Sequence, residues 1–255
     1  MKTPQFTLHA QMEEQHWWFQ GRRRIVREMV RCVLPPDREK TVLDIGCGTG
    51  GNIAAFADDY RCIGIDPSPD AVRLAQARFP QARFIQSAIP DGIGPLISTA
   101  NLLLLMDVLE HVPDDSLFFS ELLAQARPGS YLLITVPADM TLWSQHDVSF
   151  GHHRRYDPEQ LQRLWSHRPV KTLLLSYYNA RLHPLIRMVR NLNRRKGKTS
   201  GEAGTDFKLP SQPVNRLLEM IFSSERKTLL ELLKGRRSHG FQRGVSLIAL
   251  LRREN

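Results

Sequence analysis

Cysteine is scarce in this chain, and long apolar runs are missing. The three cysteines, Cys32, Cys47 and Cys62, form no CxxC pair. Their odd number and spacing argue against a disulfide framework and against a zinc site built from thiolates. No apolar run is long enough to cross a bilayer, and residues 1–15 lack the apolar stretch of a secretion signal. We therefore expect a cytoplasmic location.

Basic residues outnumber acidic ones. The chain contains 35 Lys and Arg against 26 Asp and Glu, which gives a formal net charge of +9 at pH 7. A basic surface can attract nucleic acid, anionic lipid or an acidic substrate, and charge alone does not choose among them. The content of 42% hydrophobic and 24% charged residues is ordinary for a folded protein, so we predict one domain over residues 1–255.

Short apolar runs alternate with helical patterns along most of the chain. The predicted strands are 42–45, 61–66, 82–86, 102–106, 131–136, 170–177 and 245–251. This alternation predicts an α/β fold with a doubly wound, seven-stranded, mostly parallel sheet that is covered on both faces. In chain order we expect a helical lid, a cofactor-binding core, a helical insertion and a last strand, at 1–40, 41–180, 181–240 and 241–255.

The helical pattern over residues 15–34 begins with three adjacent aromatic residues, Trp17, Trp18 and Phe19. Three neighbouring rings cannot all face one core. This helix therefore either packs on the sheet or covers a bound ligand.

A glycine-rich turn follows the first strand and reads Asp44-Ile45-Gly46-Cys47-Gly48-Thr49-Gly50-Gly51-Asn52. Glycines let the backbone turn tightly and approach a ligand, while helix amides point into the gap. The spacing also satisfies the dinucleotide fingerprint. However, a carboxylate just ahead of the glycines would oppose a pyrophosphate, and it suits a ligand with a cationic end or ties down the loop. Asp44 therefore favours S-adenosylmethionine, which has a sulfonium, an ammonium and no phosphate.

Asp66 ends the second strand, where a carboxylate can accept hydrogen bonds from ribose hydroxyls. With the glycine turn, it resembles the cofactor site of class I, Rossmann-like S-adenosylmethionine-dependent methyltransferases, over residues 41–137. The resemblance implies in-line methyl displacement that leaves S-adenosylhomocysteine. It also implies these cofactor-binding residues: Asp44, Gly46, Cys47, Gly48, Gly50, Asn52, Asp66, Pro67, Ser68, Ser87, Ala88, Met106, Asp107 and Arg22. Ser87 departs from the family, because many relatives carry an acidic residue there.

The segment Met106-Asp107-Val108-Leu109-Glu110-His111-Val112 follows the fourth strand. It resembles the LEHV segment of methyltransferases that act on small molecules, including quinone-biosynthesis O-methyltransferases. The resemblance implies that Asp107 and His111 face the methyl group and the acceptor. The alternative is that Glu110 and His111 cap the next helix. No strong spacing rule supports a metal ion here, so we predict none.

The connector that follows the fifth strand, residues 143–156, is crowded with polar residues. Such crowding is costly unless the polar groups meet water or a polar ligand. A neutral histidine there could take the proton of an acceptor hydroxyl, with Asp147 orienting it. We predict as catalytic residues His111, His146, Asp147 and His152. A purely structural histidine and arginine network is the alternative.

Arginines of the same connector could hold an acceptor carboxylate or phosphate. The HWWF and GRR runs near the start and the WSxHD and GHxRRY runs of the connector resemble a bacterial methyltransferase subgroup, which implies that the two segments close over one pocket. The predicted substrate-binding residues are Trp18, Phe19, Trp143, His153, Arg154, Arg155 and Tyr156.

We therefore predict methyl transfer to a small-molecule or lipid-like acceptor, at oxygen. An RNA methyltransferase is one alternative, but the fourth strand is not followed by the Asn/Asp-Pro-Pro-Tyr signature and no RNA-binding module is evident. A catalytically silent cofactor-binding interaction protein and an NAD-dependent oxidoreductase are two more. The sequence does not indicate the oligomeric state.

Residues 181–198 combine an apolar helical stripe with basic residues and no acid. This pattern predicts a peripheral contact with anionic lipid at the inner face of the membrane, or a lid near a lipid-like acceptor. A solvated helix that packs on the sheet is the alternative.

Overall fold

The computed structural model describes residues 3–88, 92–195 and 208–255. Seven strands within these ranges form one sheet in the order β3-β2-β1-β4-β5-β7-β6. Strand β7 runs antiparallel to its neighbours β5 and β6, and the pairings among β1 to β5 are parallel. The predicted seven-stranded, mostly parallel sheet is confirmed. The strands are β1 Thr41–Ile45, β2 Arg61–Asp66, β3 Arg83–Gln86, β4 Leu102–Met106, β5 Tyr131–Pro137, β6 Val170–Tyr178 and β7 Ser246–Arg253.

The central strands read as continuous apolar runs because both faces of the sheet are covered. Every residue of β1 and of β4 is buried. Successive side chains point to opposite faces, so Leu103 and Leu105 join one hydrophobic cluster while Leu102 and Leu104 join the other.

Helices cover the two faces of the sheet. They are α1 Thr3–Gln15, α2 Trp17–Val33, α3 Gly51–Ala54, α4 Pro69–Arg78, α5 Gly94–Ile97, α6 Asp115–Gln125, α7 Gln145–Phe150, α8 Pro158–Arg163, α9 His183–Arg195, α10 Gln212–Ser223 and α11 Arg226–Leu233. Within the described ranges, none of them is long and apolar enough to cross a membrane.

Helix α2 packs on the sheet and also lines a cavity. Its middle, from Ile25 to Val30, packs in the same cluster as sheet residues. Its first turns carry Trp18 and Arg22 to a cavity at the edge of the sheet. Gly21 lies against α10, where a side chain would meet the Phe222 ring at 2.7 Å. Helix α10 of the insertion therefore packs directly on α2.

Three helical segments differ from the prediction. Helix α1 was not predicted, since its apolar pattern is short, with Phe6 and Ala10 buried. The pattern over 214–233 predicts one amphipathic helix, whereas the structure has two, α10 and α11, which are separated by Ser224 and Glu225. The Glu225 carboxylate accepts from the backbone amides of Ala180 and Arg181, each at 2.8 Å. Residues 145–150 form α7 within the expected connector, because Ser144 and Asp147 make a capping box.

Candidate functional site

A cavity of about 900 Å³ opens where the parallel strands end. Its wall includes residues at or just after the carboxyl ends of β1, β2, β4 and β5, which is the usual position of ligand sites in open α/β sheets. The residues at these four strand ends are Gly46, Asp66, Met106 and Pro137. Helices α1, α2 and α9 contribute the facing wall.

The glycine turn after β1 is fixed to β2. The amides of Gly46 and Cys47 both donate to the Ile65 carbonyl, at 2.8 and 2.9 Å. Gly46 has φ +75°, and a side chain there would meet Val108 at 2.8 Å. Gly50 has φ +86° and lies against the Phe84 ring. Only glycine suits these two positions, since they combine left-handed backbone with close contacts.

Asp44 is the unusual residue of the turn. Its side chain is buried, and neither carboxylate oxygen has a hydrogen-bond partner among the described residues. Burial raises the pKa of this carboxyl to about 8, while Arg22 lowers it and Asp66 raises it. An unsatisfied buried carboxyl is costly. Its place two residues before the cavity lining indicates a site for a cationic or hydrogen-bond-donating ligand group.

Asp66 lies on the cavity wall and holds the turn in shape. Its two oxygens accept from the amides of Gly48 and Ser68, each at 2.9 Å. Burial raises its pKa, whereas these two hydrogen bonds lower it. Each carboxylate oxygen has a second lone pair, so Asp66 can still accept from ligand hydroxyls. Pro67, Ser68 and Ala88 line the same part of the cavity.

Arg22 connects three elements on the cavity wall. Its buried guanidinium forms an ion pair with Asp107 after β4 and donates to Asn52 of α3 at 3.1 Å. It also stacks on the Trp18 ring, 4.1 Å from the ring centroid. Asp107 itself has φ +59° and accepts from the Thr135 hydroxyl at 3.2 Å. Residues far apart in the sequence thus converge beside the glycine turn.

Three predicted catalytic histidines, His111, His146 and His152, line the cavity together with Glu110. The ring centroids of His111 and His152 are 4.7 Å apart. Burial, helped by the nearby His152, lowers the pKa of His111 to about 4, so its imidazole is neutral at pH 7. The next helix, α6, is capped by Asp114 and not by Glu110 or His111.

Asp147 lies outside the cavity lining, fully buried behind His152 and Arg155. It accepts two hydrogen bonds from Arg155, at 2.8 and 3.0 Å, and contacts the His152 Nδ1 at 3.0 Å. Burial acts to raise the pKa of Asp147, but the hydrogen bonds and positive charge hold it well below its usual range. Arg155 reaches the cavity, yet its guanidinium is used by Asp147 and by the Ala138 carbonyl.

Other residues predicted for the site lie behind the cavity lining. Arg154 and Tyr156 both bind Asp115, at 2.7 and 2.6 Å, and thereby fix the connector to α6. Ser87 donates its hydroxyl to the Ala88 carbonyl at 3.1 Å. Besides Asp147, the predicted site residues that do not line the cavity are Asp44, Gly50, Ser87, Phe19, Trp143, His153, Arg154 and Tyr156. Their roles toward ligands stay predictions.

Sequence reasoning missed the contribution of α1 to the site. Phe6, His9 and Glu13 of this helix line the cavity. The buried Glu13 carboxylate accepts from the Thr49 hydroxyl at 2.9 Å and forms an ion pair with Arg78. The apolar stripe within residues 181–198 was visible in the sequence, and Leu182, Leu185, Ile186 and Val189 now lie on the cavity wall.

The sheet order, the glycine turn and Asp66 after it match the fold of class I, Rossmann-like methyltransferases, as the sequence predicted. The family described as a methyltransferase domain matches residues 16–181, and the chain belongs to this family.

Two curated relatives match parts of the chain. It is 32% identical to norajmaline N-methyltransferase of Rauvolfia serpentina over 108 residues, 39% of this chain and 37% of the relative. It is 33% identical to 2-methyl-6-phytyl-1,4-hydroquinone methyltransferase of Synechocystis over 141 residues, 52% of this chain and 42% of the relative. The match thus spans less than half the length of either relative.

A solved structure shares the fold. The plantazolicin methyltransferase BamL, crystallised with a triazolic desmethylPZN analog and SAH, superposes with a TM-score of 0.56 at 13% identity, over 99% of this chain and 91% of BamL. At this identity the likeness concerns the fold alone.

Proposed function

We propose that this chain binds S-adenosylmethionine in the cavity and moves its methyl group to a small-molecule acceptor in the same cavity, by in-line displacement. The observation that carries the proposal is the buried Asp44 carboxylate without a described partner beside the glycine turn. The cofactor supplies a methyl group on a positively charged sulfonium. The chain supplies Asp44, whose buried carboxyl can ionise beside the cationic end, and the cavity wall positions the reacting groups.

Each end of the cofactor has a matching group on the wall or, in the case of Asp44, two residues before the lining. Asp44 suits the ammonium, and Arg22, whose buried Nε has no described partner, suits the carboxylate. Asp66 has spare lone pairs for ribose hydroxyls. The adenine is assigned to the Ser87 and Ala88 side, of which Ala88 lines the cavity.

For the acceptor we propose an oxygen atom, in keeping with the neutral imidazole of His111, which can accept a hydroxyl proton. We assign His152 to the same wall, with Asp147 orienting its ring through Nδ1. Since the Arg155 guanidinium is used by Asp147, we assign Arg155 a positioning role and not direct acceptor binding.

The walls far from the glycine turn favour an apolar or lipid-like acceptor. Phe6, Trp17, Leu185, Ile186 and Val189 contribute apolar surface there. One relative is named for a hydroquinone with a phytyl chain, which is in keeping with this chemistry. An RNA acceptor has less support, since the fourth strand is not followed by the Asn/Asp-Pro-Pro-Tyr signature.

Ligand binding and methyl transfer test the proposal together. We expect titration calorimetry to show micromolar binding of S-adenosylhomocysteine and none of NADH. Labelled S-adenosylmethionine should then transfer its methyl group to a small-molecule or lipid extract and not to RNA. Retention of NADH alone would indicate an oxidoreductase. Cofactor binding without any methylated product would indicate a silent binding protein.

We also propose that α9 contacts an anionic membrane surface beside the cavity mouth. Its apolar residues Leu185, Met188 and Val189 are 44%, 54% and 41% exposed, and Arg181 and Arg187 are exposed near them. The predicted basic stripe continued to Lys198, and residues 196–198 lie outside the described residues. Apolar side chains surrounded by cations are typical of helices that lie in a membrane interface.

Vesicle co-sedimentation checks this contact. We expect binding to phosphatidylcholine vesicles only when they contain phosphatidylglycerol, and Met188→Asp should weaken it about tenfold because an inserted apolar group becomes charged. Leu117→Asp is the matched control, since Leu117 of α6 is 55% exposed and lies outside the cavity lining. Equal binding to neutral vesicles, or an equal loss in both variants, would refute the contact.

A further inference from the structure

Glu110, His111 and His152 form a compact cluster on the cavity wall. One possible ligand atom from each residue lies within 4.8 Å of the other two. Bonds of about 2.0–2.2 Å to an ion place ligand atoms roughly 3–3.5 Å apart, so these side chains need to close by at most about 2 Å around an ion. The 3-10 helix Leu109–His111 fixes two of the residues, and the segment after α7 brings the third.

The Glu110 carboxyl is an independent sign of a ligand at this position. The residue is fully buried, lines the cavity and has no hydrogen-bond partner for either oxygen in the described part of the chain. Nearby Arg155 directs its guanidinium to Asp147 instead, and Arg22 pairs with Asp107. A buried carboxyl without a partner is costly, and a cation would remove that cost.

His152 is held as a metal-binding histidine is usually held. Its Nδ1 is 3.0 Å from the Asp147 carboxylate, which two hydrogen bonds from Arg155 fix in turn. A carboxylate on one ring nitrogen fixes the tautomer and ring orientation and leaves the other nitrogen to bind an ion. The arrangement leaves Nε2 of His152 as the available ligand.

We propose that Glu110, His111 and His152 bind a divalent transition-metal ion such as Zn²⁺. Two imidazoles and one carboxylate suit such ions better than Mg²⁺ or Ca²⁺, which prefer oxygen ligands. Three protein ligands leave a coordination position open toward the cavity, where an oxygen of the acceptor can bind. This site goes beyond the proposed methyl transfer. With an ion bound, His111 is a ligand and the ion takes the place of the free imidazole beside the acceptor oxygen, while metal binding itself does not depend on methyl transfer.

Metal titration of the whole chain tests the site. After treatment with a chelator, we expect calorimetry with Zn²⁺ to show one ion per chain. Co²⁺ should give the visible absorption bands of a site with nitrogen and oxygen ligands. Glu110→Gln and His152→Asn should each weaken Zn²⁺ binding about tenfold or more. His239→Asn is the matched control, because His239 is exposed and lies outside the cavity lining, and it should leave the affinity unchanged.

Binding of S-adenosylhomocysteine separates the two proposals and checks folding. Variants that keep this binding but lose Zn²⁺ support the metal site. Wild-type protein that binds Zn²⁺ through these residues but not S-adenosylhomocysteine would overturn the proposed function alone. If Zn²⁺ does not bind stoichiometrically, or if Glu110→Gln and His152→Asn bind it as tightly as the wild type, the metal site is wrong.

Discussion

Replacing Asp44 with asparagine is expected to weaken S-adenosylmethionine binding about 30- to 1000-fold, which corresponds to about 2–4 kcal/mol. The carboxylate is buried and has no partner among the described side chains, so a cationic ligand group would be its main counter-charge. Asparagine has nearly the same shape but no charge. The loss therefore measures the ion pair and not a change in packing.

The same substitution is expected to stabilise the ligand-free protein. In the folded protein the pKa of Asp44 is raised to about 8 by burial, well above its ordinary value of 3.8. Wild-type stability relative to Asp44→Asn is therefore highest below pH 4 and is lost as pH rises toward 8. Each pH unit within this window costs the wild type about 1.4 kcal/mol. Above neutral pH we expect Asp44→Asn to be the more stable protein.

Chemical unfolding from pH 5 to 8 and titration calorimetry measure the two effects. Asp58→Asn is the control, because the Asp58 side chain is 86% exposed and should change neither quantity. Wild-type affinity should rise with pH as Asp44 ionises, whereas that of Asp44→Asn should not. A variant that binds the cofactor as tightly as the wild type would mean that Asp44 only shapes the turn.

The fold could be predicted because its determinants are local. Buried parallel strands read as apolar runs, and β4 was predicted with the bounds observed. The antiparallel direction of β7 could not be predicted from the sequence, because a strand that is buried on both faces has the same apolar pattern in either direction. Helix α1 spans 13 residues but has too few apolar residues for a helical pattern, although it places Glu13 at the cavity.

The cofactor side of the site was more predictable than the acceptor side. Asp44, the glycines and Asp66 lie at the ends of adjacent strands, so the order of strands brings them together. The sequence correctly placed the connector at the cavity, but it did not reveal which residues its side chains contact. Asp147 and Arg155 neutralise each other, and Glu110 meets His152 only through the tertiary fold. Sequence spacing carries no information about such contacts.

Replacing Arg155 with methionine is expected to lower the free energy of unfolding by about 3–5 kcal/mol, because it leaves the fully buried Asp147 without its counter-charge. Methionine keeps much of the apolar volume of the arginine stem, so packing changes little. Arg154→Met is the matched control, since Arg154 pairs with Asp115 near the surface and its loss should cost about 1 kcal/mol or less. Urea unfolding at pH 7 measures both values.

The double variant Arg155→Met, Asp147→Asn separates charge from packing. Removing both partners avoids a lone buried charge, so we expect it to be more stable than Arg155→Met alone. The pKa of the Asp147 carboxyl is lower in the folded than in the unfolded protein. The ion pair of Asp147 with Arg155 therefore stabilises the protein at pH values above the unfolded-state pKa of this carboxyl, and the stabilisation is lost as pH falls. The difference between wild type and Arg155→Met should therefore shrink in acid. If Arg155→Met is as stable as the wild type at pH 7, the guanidinium is not needed by Asp147 and is free to bind an acceptor anion.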